Sequence, residues 1–388
     1  MIDFDTILQR KGTNCHKWDS LVSEYGKDND IIPMGIADMD FPCSDEILAA
    51  MRKKLDERAF GYCEDPLNGL RELIVERYNA RGYNITADDI VIATGVVYAI
   101  NNVIRAFSKP GDRIVLPSPY YTPFRPLIEK NGCQVLECPM VIRNNRYEMD
   151  LAAIEDAVDE STTMFIFCNP HNPTGRIFDE DELREAADFC QRHHLWIIND
   201  EIHADFALNK PMKSILNISE YTRSHAFTFL SATKTFNLAG MKMSFGFITD
   251  PECRKRYHKQ AELSGLESIN SLAPEAVKAA YRSSAEWERS LISYLRANCA
   301  YACQFIRERL PQITVYPNEG TYLLWLDMRG CGVEPEKLND FLIKESHVQL
   351  NDGKFYGSRY AGFQRMNCAL PFSQLREALE RMEKALNR

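Results

Sequence analysis

The sequence predicts an α/β fold in which a mostly parallel sheet is covered by helices on both faces. From Ser44 to Asp250, short apolar runs alternate with segments of helical periodicity, and after Pro251 the pattern changes to long amphipathic helices. Strands that are apolar along their whole length are typical of parallel sheets buried on both sides. We therefore expect a large domain over residues 44–283 and a smaller α+β domain over residues 284–388.

The individual elements follow in order along the chain. Residues 1–43 show little periodicity of their own, and we expect this N-terminal segment to pack with the small domain. The strands predicted in the large domain are Ile90–Ala93, Arg113–Leu116, Thr163–Cys168, Leu195–Ile198, the apolar run after His225, and Met243–Thr249. The small domain is predicted to contain a helix over Ala285–Leu310, a strand over Tyr322–Asp327 and a last helix over Ser373–Leu386.

The composition narrows the class of protein. Hydrophobic residues make up 45% of the 388 residues and charged residues 26%, which is ordinary for a soluble globular enzyme. The net charge of −9 argues against nucleic-acid binding, because phosphate backbones are bound by clustered cations. No segment is typical of a signal peptide or a membrane span, and the twelve cysteines lack the spacing of a metal site. We therefore expect a cytoplasmic enzyme with reduced cysteines, no bound metal and a small-molecule substrate.

A lysine after an apolar run gives the strongest chemical indication. Lys234 follows the run His225–Leu230 and the small residues Ser-Ala-Thr, a pattern typical of a strand that ends at a pocket. Alone, such a lysine is usually an ordinary surface residue. Two earlier motifs, Asn169–Gly175 (NPHNPTG) and Asn199–His203 (NDEIH), make it specific. Pyridoxal 5′-phosphate (PLP) needs an amine for its aldehyde and a carboxylate for its ring nitrogen, so we interpret Lys234 as that amine.

Asp200 and Asn172 are the predicted partners of the PLP ring. Asp200 follows four apolar residues, so it would be buried at a strand end, where a protonated ring nitrogen offsets the cost of burying a carboxylate. An aspartate that caps a loop is the alternative. Asn172 lies in a segment made rigid by Pro173 and turned by Gly175, so its amide can point at ring hydroxyl O3′. Without the other motifs, this segment would be an ordinary turn.

The PLP phosphate requires backbone N–H groups at a helix start, hydroxyl groups and preferably a cation. The candidates are Gly95, Val96 and Val97 after the strand Ile90–Ala93, the hydroxyls of Ser231 and Thr233, and the ammonium of Lys242. A glycine at a helix start is common, so this part of the prediction depends on the motifs that follow it in the chain.

Two adjacent tyrosines follow the strand that begins at Arg113. Tyr121 is expected to stack on the PLP ring, and Tyr120 is expected to face the substrate. Either tyrosine could instead be an ordinary core residue.

Together these motifs resemble those of the fold-type-I PLP enzymes of the aspartate aminotransferase superfamily. Within it, Met34–Pro42 (MGIADMDFP), His203 in the DEIH motif and Leu350–Gly357 (LNDGKFYG) are similar to segments of the MalY/PatB subgroup of cystathionine β-lyases. The resemblance extends from about Met34 to Arg376. It implies the aspartate aminotransferase fold with a seven-stranded sheet, PLP as cofactor, and a homodimeric carbon–sulfur lyase for sulfur amino acids.

The resemblance also implies roles for individual residues. Tyr62 would reach the phosphate of a partner subunit, and Arg365 would bind the substrate α-carboxylate through two parallel hydrogen bonds. Substrate contacts are implied for Ala37 and Asn172, and Tyr121 would act in catalysis beside Lys234 and Asp200. From the sequence alone, Arg365 would be an exposed arginine before a strand.

Three positions depart from the wider superfamily pattern. His203 stands where aminotransferases usually carry a tyrosine, and its imidazole can also hydrogen-bond O3′. Lys242 replaces the usual phosphate-binding arginine and supplies the charge without the two-pronged guanidinium geometry. The glycine-rich stretch before the substrate arginine is changed to Ser358–Gly362 (SRYAG).

The expected reaction begins when Lys234 removes the α-proton of an S-substituted cysteine, after which the β-thiolate leaves and pyruvate and ammonia are released. The same cofactor residues would also serve an aminotransferase, which is the alternative function. A PLP-binding protein whose role is to bind a transcription regulator is a further alternative.

Overall fold

The computed structural model describes residues 2–63, 65–265 and 268–387. Its strands, in chain order, are β1 (Ile32–Pro33), β2 (Ile90–Ala93), β3 (Arg113–Ser118), β4 (Gln134–Pro139), β5 (Val141–Arg143), β6 (Arg146–Glu148), β7 (Thr162–Cys168), β8 (Trp196–Asp200), β9 (Ala226–Leu230), β10 (Ser244–Phe247), β11 (Thr314–Val315), β12 (Leu323–Asp327), β13 (Val348–Gln349), β14 (Asn351–Asp352) and β15 (Phe363–Asn367). Its α-helices are α1 (His16–Tyr25), α2 (Asp45–Leu55), α3 (Arg71–Asn79), α4 (Val96–Phe107), α5 (Phe124–Lys130), α6 (Glu180–Arg192), α7 (Glu220–His225), α8 (Ala232–Thr235), α9 (Pro251–Ser264), α10 (Ala273–Ser283), α11 (Ala285–Arg309), α12 (Leu338–Phe341) and α13 (Phe372–Leu386).

A seven-stranded sheet in the order β2-β10-β9-β8-β7-β3-β4 forms the centre of the large domain. The strands from β9 to β4 pair in parallel, while β10 runs antiparallel to both of its neighbours. Every residue of β9 is buried, as expected for a strand that is covered on both faces. The predicted α/β fold with a mostly parallel, seven-stranded sheet is confirmed.

The predicted strands agree with the observed ones to within a few residues. The largest difference that affects the site is in β8, which was predicted to end at Ile198 but continues to Asp200. The ladder continues because Asn199 and Asp200 pair with Thr228 and Phe229 of β9, although their side chains are polar. Strand β4 at the sheet edge was not among the predicted strands, since exposed and buried positions alternate along it.

A second, four-stranded sheet in the order β11-β12-β15-β14 lies in the C-terminal part of the chain. All of its pairings are antiparallel, and Trp325 of β12 stacks on Phe363 of β15 with 5.3 Å between ring centroids. The long helix α11 and the last helix α13 agree with their predicted bounds to within one residue. The exact domain boundaries at residues 44 and 284 remain a prediction.

The N-terminal segment is more regular than expected, because residues 1–43 include the ten-residue helix α1 and the short strand β1. Helix α1 buries Lys17 and Leu21 and has few other apolar positions, so its periodicity in the sequence is weak. Strand β1 pairs in parallel with β13, and Phe4 packs edge-on against Trp287 with 5.7 Å between ring centroids. The segment is therefore held by residues from distant parts of the chain.

The described ranges contain neither a helix that could span a membrane nor a cluster of metal ligands. None of the helices in these ranges combines the length and the apolar character that crossing a bilayer requires. In the same ranges, no three histidine, cysteine or acidic side chains converge as a metal site would require. All twelve cysteines are free thiols.

Candidate active site

A cavity of about 180 Å³ lies at the carboxyl ends of β2, β7, β8 and β9. Ligands of parallel sheets usually bind at this edge, because loops that follow several strands meet there. Most of the predicted site residues line this cavity, namely Ala37, Gly95, Val96, Val97, Tyr121, Asn172, Asp200, His203, Ser231, Thr233, Lys234 and Lys242. The structure therefore brings together residues as far apart in the sequence as Ala37 and Lys242.

Lys234 lies on α8, the four-residue helix that follows β9, and its partly buried side chain lines the cavity. The side chain of Ser231 begins this helix by accepting a 3.1 Å hydrogen bond from the Thr233 backbone N–H. Nζ of Lys234 donates to the carbonyl oxygen of Ala37 at 2.5 Å. Burial, with a smaller contribution from the charge of Arg365, lowers the pKa of Lys234 to about 8. A lysine with a lowered pKa is more often neutral at pH 7, and only the neutral amine can act as nucleophile or base.

Asp200 is the last residue of β8, and its carboxylate is turned into the cavity. Burial raises the pKa of Asp200 to about 6, and this effect is partly offset by a 3.0 Å hydrogen bond from the Ile202 backbone N–H and by the charge of Lys234. A buried carboxylate with so little compensation gains stability from a cationic partner. A protonated pyridine nitrogen would be such a partner.

Two buried polar atoms on the cavity wall have no hydrogen-bond partner within the described part of the chain. They are Nδ1 of His203 and the hydroxyl oxygen of Thr94. Burial, reinforced by the charges of Lys234 and Arg365, lowers the pKa of His203 well below its usual range, so the imidazole is neutral at pH 7. Buried polar atoms are nearly always paired in proteins, so these two atoms fit a polar ligand in the cavity. The donor set therefore fits the hydroxyl and phosphate groups of PLP.

The end of the cavity near α4 has the features that phosphate binding requires. Gly95 precedes α4 with φ of 150°, a conformation that residues with a side chain rarely adopt. The first N–H groups of a helix have no partner within the helix, so they are available to an anion. Hydroxyls of Ser231 and Thr233 lie 2.7 Å apart, and the exposed Lys242 adds a cation at the rim.

Arg365 is buried within β15, so the indication from sequence that it is exposed before a strand was wrong. Its Nη1 donates to Oδ1 of Asn172 at 3.0 Å, and its Nη2 donates to the carbonyl oxygen of Gly35 at 2.6 Å. The guanidinium also lies over the ring of Tyr356, 5.4 Å from the centroid. Arg365 thus lies behind Asn172 and does not itself line the cavity.

The three tyrosines of the prediction lie in different places. Tyr121 lines the cavity and packs edge-on against Phe124 with 5.4 Å between ring centroids. Tyr120 is buried beside it but lines a separate surface depression of about 480 Å³. Tyr62 is fully exposed and lies away from the cavity of its own chain.

The segment Gly35–Phe41 lies against Lys234, and its residue Ala37 lines the cavity. The Ala37 carbonyl accepts hydrogen bonds from Lys234 and also from the hydroxyl of Tyr322, the latter at 3.3 Å. The side-chain amide of Asn367 donates to the carbonyl oxygens of Ile36 and Asp38, at 2.7 and 2.9 Å. This segment is therefore held in place mainly through its backbone.

The sequence interpretation missed several residues of the cavity wall. These are Thr94, Tyr98, Cys168, Ile202, Ala239 and Met243. Three of these residues directly precede a residue that the sequence analysis identified, namely Thr94 before Gly95, Cys168 before Asn169 and Ile202 before His203. Their position beside the predicted motifs could have indicated them. No sequence signal distinguishes Ala239 or Met243.

Comparison with known proteins gives a consistent picture. The family model described as aminotransferase class I and II matches residues 29–382. Cystathionine β-lyase PatB from Bacillus subtilis (strain 168) is 32% identical over 388 residues, covering 100% of both chains. Protein MalY from Escherichia coli (strain K12) is 29% identical over 382 residues, 98% of this chain and 97% of MalY. The crystal structure of cystalysin from Treponema denticola, which contains a PLP cofactor, aligns with a TM-score of 0.96 and 30% identity, covering 100% of this chain and 99% of cystalysin.

Proposed function

The chain belongs to the aminotransferase class I and II family, and we propose that it is a PLP-dependent carbon–sulfur β-lyase. Its substrates would be cystathionine or related S-substituted cysteines, and its products pyruvate, ammonia and a thiol. The observation that carries the cofactor assignment is the meeting of Lys234 and Asp200 in one buried cavity, with pKa values of about 8 and about 6. The full-length similarity to PatB supports the lyase reaction.

The residues of the cavity match the parts of PLP. Asp200 would hold the ring nitrogen, Asn172 and His203 would face O3′, and Tyr121 would lie against the ring. The start of α4, together with Ser231, Thr233 and Lys242, would hold the phosphate. When bound, PLP withdraws the electron pair that remains at Cα of an amino acid after its α-proton has left.

The residues themselves bind the substrate and move protons. Neutral Lys234 accepts the α-proton at Nζ, and the resulting ammonium has the Ala37 carbonyl as its hydrogen-bond acceptor. The same ammonium can then return a proton to the departing sulfur. Arg365 would hold the α-carboxylate from beside Asn172, whose side-chain oxygen accepts a hydrogen bond from the same guanidinium.

We also propose that the enzyme is a homodimer in which Tyr62 extends to the phosphate site of a partner subunit. Tyr62 is fully exposed, and the neighbouring Phe60 is 54% exposed. Tyr98, on the wall of the cavity near the proposed phosphate site, is 44% exposed. Exposed aromatic residues of this kind are typical of protein interfaces.

A cytoplasmic location is part of the proposal. All twelve cysteines are free thiols, and most of them are buried. Proteins with many free thiols are typical of reducing compartments.

The proposal is tested by supplying the PLP-loaded enzyme with L-cystathionine and no keto acid. The lyase releases pyruvate, ammonia and thiol in amounts far above the enzyme concentration, and a Lys234→Ala variant does not. A parallel reaction contains an amino acid and a keto acid. The lyase assignment is wrong if thiol and pyruvate remain at trace levels while amino groups exchange rapidly, and the enzyme is then an aminotransferase.

A further inference from the structure

We propose that Asp205 is a positioning residue, which acts through Thr235 to fix the turn that carries Lys234 against the turn that carries His203. The inference concerns the site described under the proposed function and rests on that assignment. The hydroxyl of Thr235 donates to Oδ2 of Asp205 at 2.6 Å. Thr235 is fully buried, and the side chain of Asp205 is 3% exposed.

Each partner of this hydrogen bond lies beside a residue of the cavity wall. Thr235 follows Lys234 directly and ends α8. Asp205 lies two residues after His203, in the 3₁₀ turn Ala204–Phe206. A helix as short as α8 has little stability of its own, so its orientation depends on such tertiary contacts. The hydrogen bond between Asp205 and Thr235 is such a tertiary contact, and neither side chain lines the cavity.

Two arginines hold Asp205 as a carboxylate. Nη2 of Arg77 lies 3.0 Å from Oδ2 of Asp205, and Arg81 pairs with Oδ1. Burial raises the pKa of Asp205, but the charges of Arg77 and Arg81 lower it by more, so its pKa lies below its usual range. Because the carboxylate stays ionised across the neutral range, it remains a strong acceptor for the Thr235 hydroxyl.

The same arginines connect this bond to distant parts of the fold. Arg77 lies on α3 and also binds Glu288 near the start of α11, at 3.0 Å and 2.5 Å. Its guanidinium lies over the ring of Tyr281, 4.7 Å from the centroid. Through Arg77, Asp205 is therefore linked to α3, α10 and α11, and the turn of Lys234 takes its orientation from this carboxylate.

The test compares Thr235→Val with Thr235→Ser in the PLP-loaded enzyme. Valine keeps the size of threonine and removes the donor, whereas serine keeps the donor. We expect Thr235→Val to move the pH midpoint of the visible absorbance of lysine-bound PLP by about half a unit or more, because the position of Nζ relative to its neighbours sets its pKa. We expect kcat to fall about tenfold with KM nearly unchanged, while Thr235→Ser behaves like the wild type.

A structural control separates positioning from stability. Thr222→Val removes the hydroxyl of another fully buried threonine, which donates to the carbonyl oxygens of Leu216 and Ser219 and does not line the cavity, so it should lower the thermal midpoint and leave the absorbance midpoint unchanged. The proposal is overturned if Thr235→Val also lowers only the thermal midpoint. If Thr235→Val fails to fold, Thr235→Ala provides the same comparison with serine. The absorbance requires bound PLP but no turnover, so it gives an answer even if the lyase assignment fails.

Discussion

Arg365 and Asn172 form one hydrogen-bonded unit, in which Nη1 of the arginine donates to the amide oxygen at 3.0 Å. The arginine lies on β15 of the four-stranded sheet, whereas Asn172 lines the cavity at the carboxyl edge of the seven-stranded sheet. Any substrate carboxylate that binds Arg365 must therefore share the guanidinium with Asn172. This arrangement couples recognition of the substrate to the position of the residue proposed to face O3′.

We expect Arg365→Lys to raise KM for L-cystathionine by about 100-fold, because lysine keeps the charge but loses the two parallel donors. PLP affinity should change much less than KM, since Arg365 reaches the cavity wall only through Asn172. Steady-state kinetics and PLP titration measure the two effects. Unchanged KM in this variant would place the substrate carboxylate elsewhere.

We expect Lys234→Ala to lose covalent attachment of PLP, since alanine has no amine. The purified variant should lack the visible absorbance of lysine-bound PLP, and borohydride should leave no cofactor on the chain. At saturating PLP, Lys242→Ala serves as a control for covalent attachment, because it removes an exposed cavity lysine but keeps Lys234. Borohydride fixation in Lys234→Ala at the wild-type level would move the attachment to another lysine.

The raised pKa of Asp200 predicts how the stability of PLP-free enzyme depends on pH. Its carboxyl has a pKa of about 6 in the folded protein against a usual value of 3.8, so the folded state binds the proton more tightly. The contribution of Asp200 is therefore fully present below about pH 4 and is lost as the pH rises through 6. It amounts to about 3 kcal/mol of unfolding free energy.

The measurement is the difference in unfolding free energy between wild type and Asp200→Asn from pH 4 to pH 7.5. Asparagine does not titrate, so the variant should lack this fall in stability. Comparison of the two proteins is needed because the pKa of buried Glu201 is also raised, to about 7, mainly by burial. Parallel pH profiles would show that Asp200 is ionised in the folded protein throughout. With PLP bound, Asp200→Asn should also lower kcat by about 100-fold or more.

Lys242 gives a prediction about the phosphate. We expect Lys242→Ala to weaken PLP binding about tenfold and Lys242→Arg to preserve it, because the contribution is that of a cation beside an anion. The effect should shrink at high salt, since this side chain is exposed to solvent. Equilibrium dialysis of the three proteins at two salt concentrations decides the matter. Equal affinities would show that Lys242 faces away from the phosphate.

The sequence was sufficient to predict six of the seven strands of the central sheet and the residues at their carboxyl ends. Strand β2 was predicted residue for residue, because a buried parallel strand is a continuous apolar run. Asp200 and Lys234 could be identified for a related reason, since a polar residue after such a run lies where the loops of the sheet converge. These inferences use only local pattern and the geometry of parallel strands.

The features that the sequence did not reveal depend on contacts between distant parts of the chain. Arg365 is buried beside Asn172, which lies 193 residues earlier in the chain. Nothing in the sequence near Arg365 indicates that partner, so its burial could not be predicted. The partners of Asp205 show the same difficulty, since Arg77 and Thr235 lie on opposite sides of it in the sequence. Helix α1 was missed because it buries few apolar side chains.

The backbone contacts that hold Gly35–Phe41 over Lys234 impose an order on the synthesis of an active molecule. Translation runs from the N-terminus to the C-terminus, so this segment leaves the ribosome before its partners Lys234, Tyr322 and Asn367. A nascent chain can form the central sheet before Asn367 has been made. Until then, the carbonyl oxygens of Ile36 and Asp38 lack their hydrogen-bond donor. Gly35–Phe41 must therefore remain available until Asn367 has emerged, and its contacts beside Lys234 are completed only then.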